Sequence, residues 1–313
     1  YSHTGRGCSP DAMRTAIQTC SARARFGGSG EHELHVRVAE HEGALWYDLA
    51  DDRWRSIRIT PDGWSIVADT PILFRRYRNT GPQIEPVAGG DFSKIFNLVN
   101  IKDEDTKLLF SAWLLASCVP GMPHPVVVIY GPQGSAKTSI FRVIKALLDP
   151  GTKTTDTAPR VPSDLVKLLH NQWLSAFDNL SGLPAWVSDT FCRAVTGDGY
   201  SERLLYTNNE EMVLSFRRVL ALNGINVVAT RPDLLDRSIL IGLDRIEDAD
   251  RLTEAEVERR VHDLLPGILG GAFDLLVRIL QVQPEVTPRI GHLPRMADFA
   301  LFGAAYARVL GYE

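Results

Sequence analysis

Residues 126–148 read VVVIYGPQGSAKTSIFRVIKALL: a run of β-branched residues, a glycine-bearing loop, then Ile140, Val143, Ile144 and Leu147 at i, i+3, i+4 and i+7. The apolar run suits a strand buried on both faces. The spacing after it marks an amphipathic helix that Asp149, Pro150 and Gly151 stop. Strand, loop and helix in immediate succession reverse the chain within a few residues and gather the loop's backbone amides at a helix start. The loop matches the phosphate-binding template G-x-x-x-x-G-K-[ST] at Gly131, Lys137 and Thr138; it departs at Ala136, where the template has glycine.

A polyphosphate needs several donors converging on its oxygens, and amides at a helix N-terminus supply them without burying many side chains. Gly131, Pro132, Gln133, Gly134, Ser135, Ala136, Lys137, Thr138 and Ser139 form the expected ATP-binding segment. Gly131 and Gly134 let it curl, Lys137 reaches the outer phosphates, and Thr138 ligates Mg²⁺. Ala136 is compatible with this role at negative φ, because alanine is disfavoured in the left-handed region. The alternative is a plain strand-to-helix turn. Asp178 closes a strand predicted over 173–177, where a carboxylate holds the water shell of Mg²⁺; capping of the following turn is its alternative.

Around this segment the pattern alternates. Residues 34–67 read as a small antiparallel meander, with Leu34, Val36 and Val38 on one side and Trp54, Ile57 and Ile59 repeating the pattern. A Gly/Pro-rich linker is expected over 79–91 and a helix from Glu104 to Cys118. Helices over 162–170 and 185–195 are interleaved with strands at 173–177, near 203–222 and at 238–243, and the chain turns helical beyond Asp244. Such alternation predicts an α/β fold, a mostly parallel sheet flanked by helices. The expected division is a β-rich accessory region over 1–98, a core over 99–245, and a helical region over 246–313.

The 313 residues are 44% hydrophobic and 23% charged, with a net charge of -4, an ordinary globular composition that argues against a free, strongly basic nucleic-acid binder. The apolar stretch over 108–119 is short of the roughly 20 residues that span a bilayer, so a buried helix and no membrane partner are expected. The first residues carry neither an initiator Met nor an apolar leader, and a piece of a longer, cytoplasmic protein is expected. Four cysteines without a C-x-x-C pair give no disulfide framework, and Cys8, Cys20, His32 and His35 lack the paired spacing of a structural zinc site.

GPQGSAKT, LSAFDN, TGDGYSERLLYTNNEE, LALNG and RPDLLDRSIL, in that order, resemble the ATPase core of phage- and mobile-element-encoded replication proteins. This is the primase-helicase group related to superfamily 3 helicases within the AAA+ class, and the likeness covers about residues 100–245. It implies a P-loop AAA+ (ASCE) core with ATP and Mg²⁺ at the interfaces of a homo-oligomeric ring, a hexamer. The implied activity is that of an ATP-hydrolysing DNA helicase or translocase on single-stranded or forked DNA; the alternative is an ATP-switched initiator or assembly protein without unwinding. The resemblance implies that Asn223 is a sensor beside the γ-phosphate and Arg237 the arginine finger, with Arg231 competing for that role. Asn179 stands where many ring ATPases place a water-activating glutamate, and an amide cannot accept the proton; Asp178, Asp198 or Glu202 is then left to pass it on. A hairpin around Asn208 and Asn209 makes Arg203, Arg217 and Arg218 candidates for DNA contact, although Glu210 and Glu211 make its tip acidic.

Overall fold

The computed structural model describes residues 7–27, 30, 32–198, 200–203, 211–286 and 293–312, with backbone alone for 200–203 and 211–214. Two compact units partition the chain, residues 1–34 and 35–313. The first contains helix α1 (Pro10–Phe26), which starts where the Ser9 side chain accepts the Ala12 amide and carries Asp11 in its first turn and Arg23 and Arg25 in its last. Cap and charges all suit the helix dipole.

The second unit opens with an antiparallel meander of β1 (Val38–His41), β2 (Ala44–Asp48), β3 (Ser56–Thr60) and β4 (Gly63–Val67), paired in chain order. Val38 faces Tyr47, Tyr47 faces Ile57, and Ile57 faces Ile66, so one sheet face is continuously apolar. Strand β2 escaped the sequence reading because all its residues are buried, which removes the alternation. Leu34 is exposed, and Trp54, rather than joining the inner face, stands in a loop at φ +57°, its ring under the Arg76 guanidinium.

The central region runs α2 (Glu104–Ala116), β5 (Val126–Tyr130), α3 (Lys137–Leu148), α4 (Pro162–His170), β6 (Leu174–Leu180), α5 (Ala185–Thr196), β7 (Tyr200–Arg203), β8 (Glu211–Leu214), β9 (Val219–Gly224), α6 (Pro232–Leu235) and β10 (Ser238–Gly242). Strands β7 and β8 form a separate hairpin. The other four make a parallel sheet ordered β10-β5-β9-β6. All carboxyl ends therefore lie along one edge. The chain leaves β5 toward β6 on one side and later adds β10 on the other, which makes the crevice at the end of β5 a topological switch point, where α/β sheets bind ligands.

Helices α7 (Glu254–Val282) and α8 (Ala297–Val309) close the fold. One apolar cluster takes in the inner meander face, α2, α3, α7 and α8, and a second packs α4 and α5 on the sheet's other face. Phe273 of α7 sits 5.7 Å from both the Tyr47 and the Trp64 rings and ties the meander to the C-terminal helices. The 79–91 stretch is a packed strap rather than a linker. The Val87 amide donates to the Pro266 carbonyl of α7, and a Cβ on Gly270 would lie 1.7 Å from the Val87 carbonyl oxygen, an approach that glycine alone permits. Among the described residues one helix, Glu254–Glu285, is long and apolar enough to cross a membrane, and half of its apolar window is buried inside the protein. It outruns the 108–119 stretch that the sequence reading had singled out.

Candidate functional site

The 131–136 loop joins β5 to α3 at the carboxyl edge of the sheet. Three of its residues have positive φ: Gly131 at 152°, Gly134 at 79° and Ala136 at 62°. Ala136, the N-cap of α3, is in the left-handed region at ψ 31°, contrary to the negative φ expected for it. Left-handed backbone costs an L-residue about 1–2 kcal/mol, and such strain persists where the surroundings over-determine it. No side chain caps α3 and no acidic residue stands in its first turn, so the first amides of the helix, which have no intrahelical acceptors, are left without a side-chain acceptor at the loop. Ser135 is buried and its hydroxyl donates to the Pro132 carbonyl at 2.9 Å, pinning the curl. Lys137 folds back onto the loop, its ammonium donating to the Gly131 and Pro132 carbonyls at 2.8 and 2.9 Å. Burial lowers its pKa and the Asp178 charge acts against that shift.

Strand β6 does not end at 177 but runs to Leu180, with a bulge. Leu222 of β9 pairs with Phe177 and Gly224 pairs with Leu180, so Asp178 and Asn179 share one opposite residue, Asn223. Asn179 takes φ +55° and its amide donates to Asn223 Oδ1 at 2.9 Å. The bulge re-aims Asp178, whose Oδ2 accepts from the Thr138 hydroxyl at 3.0 Å. Asn223 is 1% exposed and its Nδ2 has no partner among the described residues. A buried donor without an acceptor is expensive, and this one stands beside the Thr138–Asp178 contact.

A cavity of about 450 Å³ opens beside Gly134, Ala136 and Ser139, lined by apolar Leu98, Val99, Ile246, Leu252 and Val257, by Asn100, and by both basic (Lys102, Arg251, Arg260) and acidic (Glu247, Asp250) residues. The segment after β10 covers the loop: the Ile246 amide donates to the Gly134 carbonyl at 3.1 Å, and Asn100 Nδ2 donates to the Asp244 carbonyl at 2.8 Å. The sequence reading missed Asn100, Arg251 and Arg260. Nothing in their spacing marks them, because 97–102 and 244–260 meet the loop only in three dimensions.

Arg237, Arg217 and Arg218 lie toward the amino edge of the sheet, about 13 Å from the loop at 3.3 Å per residue along β5, whereas Arg231 stands midway in the segment that returns from Gly224 at the carboxyl edge to Ser238 at the amino edge. The Val126 amide, at the start of β5, donates to the Arg237 carbonyl. The Arg237 side chain is 13% exposed; Nη1 donates to the Asp233 carbonyl at 2.7 Å, and Nε is buried without a partner among the described residues. Arg231 is the more open of the two at 44%, paired to Asp189 at 3.2 Å. Arg218 is buried, donating to the Leu169, His170 and Arg217 carbonyls, and burial pushes its pKa down to about 10. Arg217 donates to the Thr196 and Gly121 carbonyls. Burial and three carbonyls take the Arg218 guanidinium out of reach of a phosphate backbone, whereas Arg217 is half-buried and engages carbonyls through Nε and Nη1. The side chains of Arg203, Glu202 and Glu211, and all of Asn208, Asn209 and Glu210, lie outside the described residues. Asp198 accepts from the Thr196 hydroxyl at the end of α5, away from the loop.

The fold is thus a mixed α/β one, a parallel sheet flanked by helices with the 131–136 loop at its switch point. More specifically, the chain belongs to the family of actinomycete integrative conjugative element replication proteins, whose model matches residues 92–312. No curated protein matches it in sequence. Similar solved structures include an apo C-terminal region of NrS-1, 12% identical over 70% of this chain and 64% of that one, TM-score 0.43. A second apo structure of that region is 14% identical over 96% and 66%, TM-score 0.45. A JCV helicase with a bound thiazolopyridine compound is 14% identical over 71% and 60%, TM-score 0.37. The chain thus spans less than two thirds of the length of each.

Proposed function

We propose that residues 131–139 are a P-loop that binds ATP with Mg²⁺, and that the chain is the ATP-hydrolysing motor core of a mobile-element replication protein. The observation that carries this is the convergence, at one strand edge, of an uncapped helix start, the Thr138–Asp178 contact and the orphaned Asn223 amide. In this reading Lys137 leaves the Gly131 and Pro132 carbonyls for the β- and γ-phosphates. The Thr138 hydroxyl and Asp178 carboxylate are hard oxygen donors and fit a Mg²⁺ that keeps most of its waters. Asn223 Nδ2 donates to the terminal phosphate, and the base and ribose occupy the cavity beside Ala136 and Leu252. Phosphoryl transfer leans on positioning and charge stabilisation, so Asn179 orients the attacking water while its proton leaves through solvent.

Arg237 stands on the far edge from its own loop, with Arg231 on the segment leading to it, and a residue that cannot reach its own loop is free to act on a neighbour's nucleotide. The reading is therefore of a homo-oligomeric ring, a hexamer, with shared sites, translocating on single-stranded or forked DNA in the cytoplasm. Residues 99–245 supply the motor, 1–98 the accessory part, and 246–313 the helical cover. Specific activity rising with protein concentration, strand displacement on a forked duplex, and loss of both in Arg231→Ala or Arg237→Ala are the expected results; hydrolysis independent of concentration and indifferent to both substitutions refutes the shared site. One observation favours a second reading, an ATP-switched initiator or assembly protein: among the described residues Asn179 puts an amide where a base would stand, and Arg218 is buried against carbonyls of its own chain. ATP-dependent assembly without strand displacement would favour it.

A further inference from the structure

Helix α3 and strand β6 are joined at both ends. At the loop end the Thr138 hydroxyl meets Asp178 at 3.0 Å. At the other end, about 18 Å along a helix of 12 residues, Asp149 Oδ2 accepts the Trp173 and Leu174 amides, each at 3.1 Å. Lys145, one helical turn before Asp149, donates to Asp149 Oδ2 at 3.0 Å and to the Leu174 carbonyl at 2.7 Å. Helix and strand thus form a closed frame, and the axial position of α3 along β6 sets the separation of Thr138 and Asp178.

The frame is anchored from outside by Arg37, which precedes the meander and itself stands at φ +61°. Its Nε donates to Asp149 Oδ1 at 2.9 Å, Nη1 to the Asp48 carbonyl at 3.0 Å, and Nη2 to the Gly81 and Pro150 carbonyls at 2.9 Å. One buried guanidinium therefore links the meander, the strap and the end of α3. A second path leads from the same place toward Asp178. Gln172 donates to Asp156 Oδ2 at 2.6 Å, and the backbone of Asp156 pairs with β6 by accepting the Asp178 amide at 3.3 Å. Arg37, Lys145 and Asp149 are all buried, so none serves as a solvent contact.

We propose that Asp149 and Arg37 are positioning residues for the nucleotide's metal: they lock the register of α3 against β6 and so keep Thr138 and Asp178 side by side for Mg²⁺. The inference rests on the ATP–Mg²⁺ reading of the loop. Its test uses the whole chain and a fluorescent ATP analogue, titrated without metal and then with Mg²⁺, on wild type, Asp149→Asn, Arg37→Met and Arg37→Lys. The Mg²⁺ concentration for half-maximal tightening is expected to rise about tenfold in Asp149→Asn and Arg37→Met, the scale seen when supporting partners of metal ligands are removed. Affinity without metal stays near the wild-type value, and Arg37→Lys, which keeps the charge but loses the fork, falls between. A purely structural role would lower the melting temperature and leave the Mg²⁺ requirement of the folded protein unchanged. That outcome overturns the proposal. Where a stronger variant does not fold, Arg37→Lys carries the comparison, and a wild-type Mg²⁺ requirement in it is equally fatal. A wild type that binds no nucleotide refutes the functional reading itself; one that binds while all variants keep its Mg²⁺ requirement refutes this inference alone.

Discussion

Replacing Ala136 with glycine restores the one letter in which the loop departs from its template, and the structure fixes what that does to stability. Ala136 is at φ +62° and ψ +31°, a conformation that costs an L-residue about 1–2 kcal/mol and glycine almost nothing. Against that gain, glycine adds freedom to the unfolded chain worth about 0.4–1 kcal/mol. The net expectation for Ala136→Gly is a stabilisation of about 0.5–1 kcal/mol, a rise in melting temperature of about 1–3 °C for a chain of this size. Urea denaturation at fixed pH and a thermal melt read it. The control is Gly134→Ala: at φ +79°, with the added Cβ 2.8 Å from an Arg251 nitrogen, it is expected to lose about 1–2 kcal/mol. If Ala136→Gly instead destabilises by about 0.5 kcal/mol or more, the methyl group makes packing contacts that outweigh the strain, and the left-handed cap is not what the loop has to hold.

His124 supplies a pH dependence. Its Nε2 lies 2.9 and 3.0 Å from the Ala116 and Val119 carbonyls and so carries the proton, and burial pushes its pKa down to about 4. Between about pH 6.5 and 4 the unfolded chain binds the proton that the folded one refuses, so stability falls with pH across that window by about 3 kcal/mol. The fall is expected to flatten in His124→Gln; an equal slope in both proteins assigns the titration elsewhere. Phe273→Ala is expected to cost about 3–5 kcal/mol and to loosen the meander and the C-terminal helices together; hydrogen exchange that opens only one of them contradicts the single core. Asp178→Asn is expected to leave ATP affinity in the absence of metal intact and to remove most of its Mg²⁺ dependence, by calorimetry with and without chelator; an unchanged Mg²⁺ dependence removes Asp178 from the metal site.

The strand–loop–helix over 126–148 was legible because its information is local: β-branched residues, glycines, and an apolar spacing that stops at Asp149. The bulge at Asp178 and Asn179 was not. It exists because Asn223, distant in sequence, takes the place of a ladder partner, and no period in either strand records it. The same holds for the 79–91 strap, whose glycines and prolines read as a linker until α7 is laid against it. Arg217 and Arg218 were candidates for DNA contact in sequence, and only the carbonyls of Gly121, Thr196, Leu169 and His170, gathered from three other segments, show what they bind within the chain. Ala136 was read from propensity, and tertiary constraint overrode it.

The central claim is that the amides from Gly131 to Thr138 and the Lys137 ammonium together hold a triphosphate. Calorimetric titration of ATP with Mg²⁺ into wild type and Lys137→Ala tests it most directly, with circular dichroism confirming that both are folded. Wild type is expected to bind one nucleotide per chain and Lys137→Ala about ten to a hundred times more weakly, the scale of one lost hydrogen bond to a charged group. Equal affinities, or no binding by wild type, would contradict the claim.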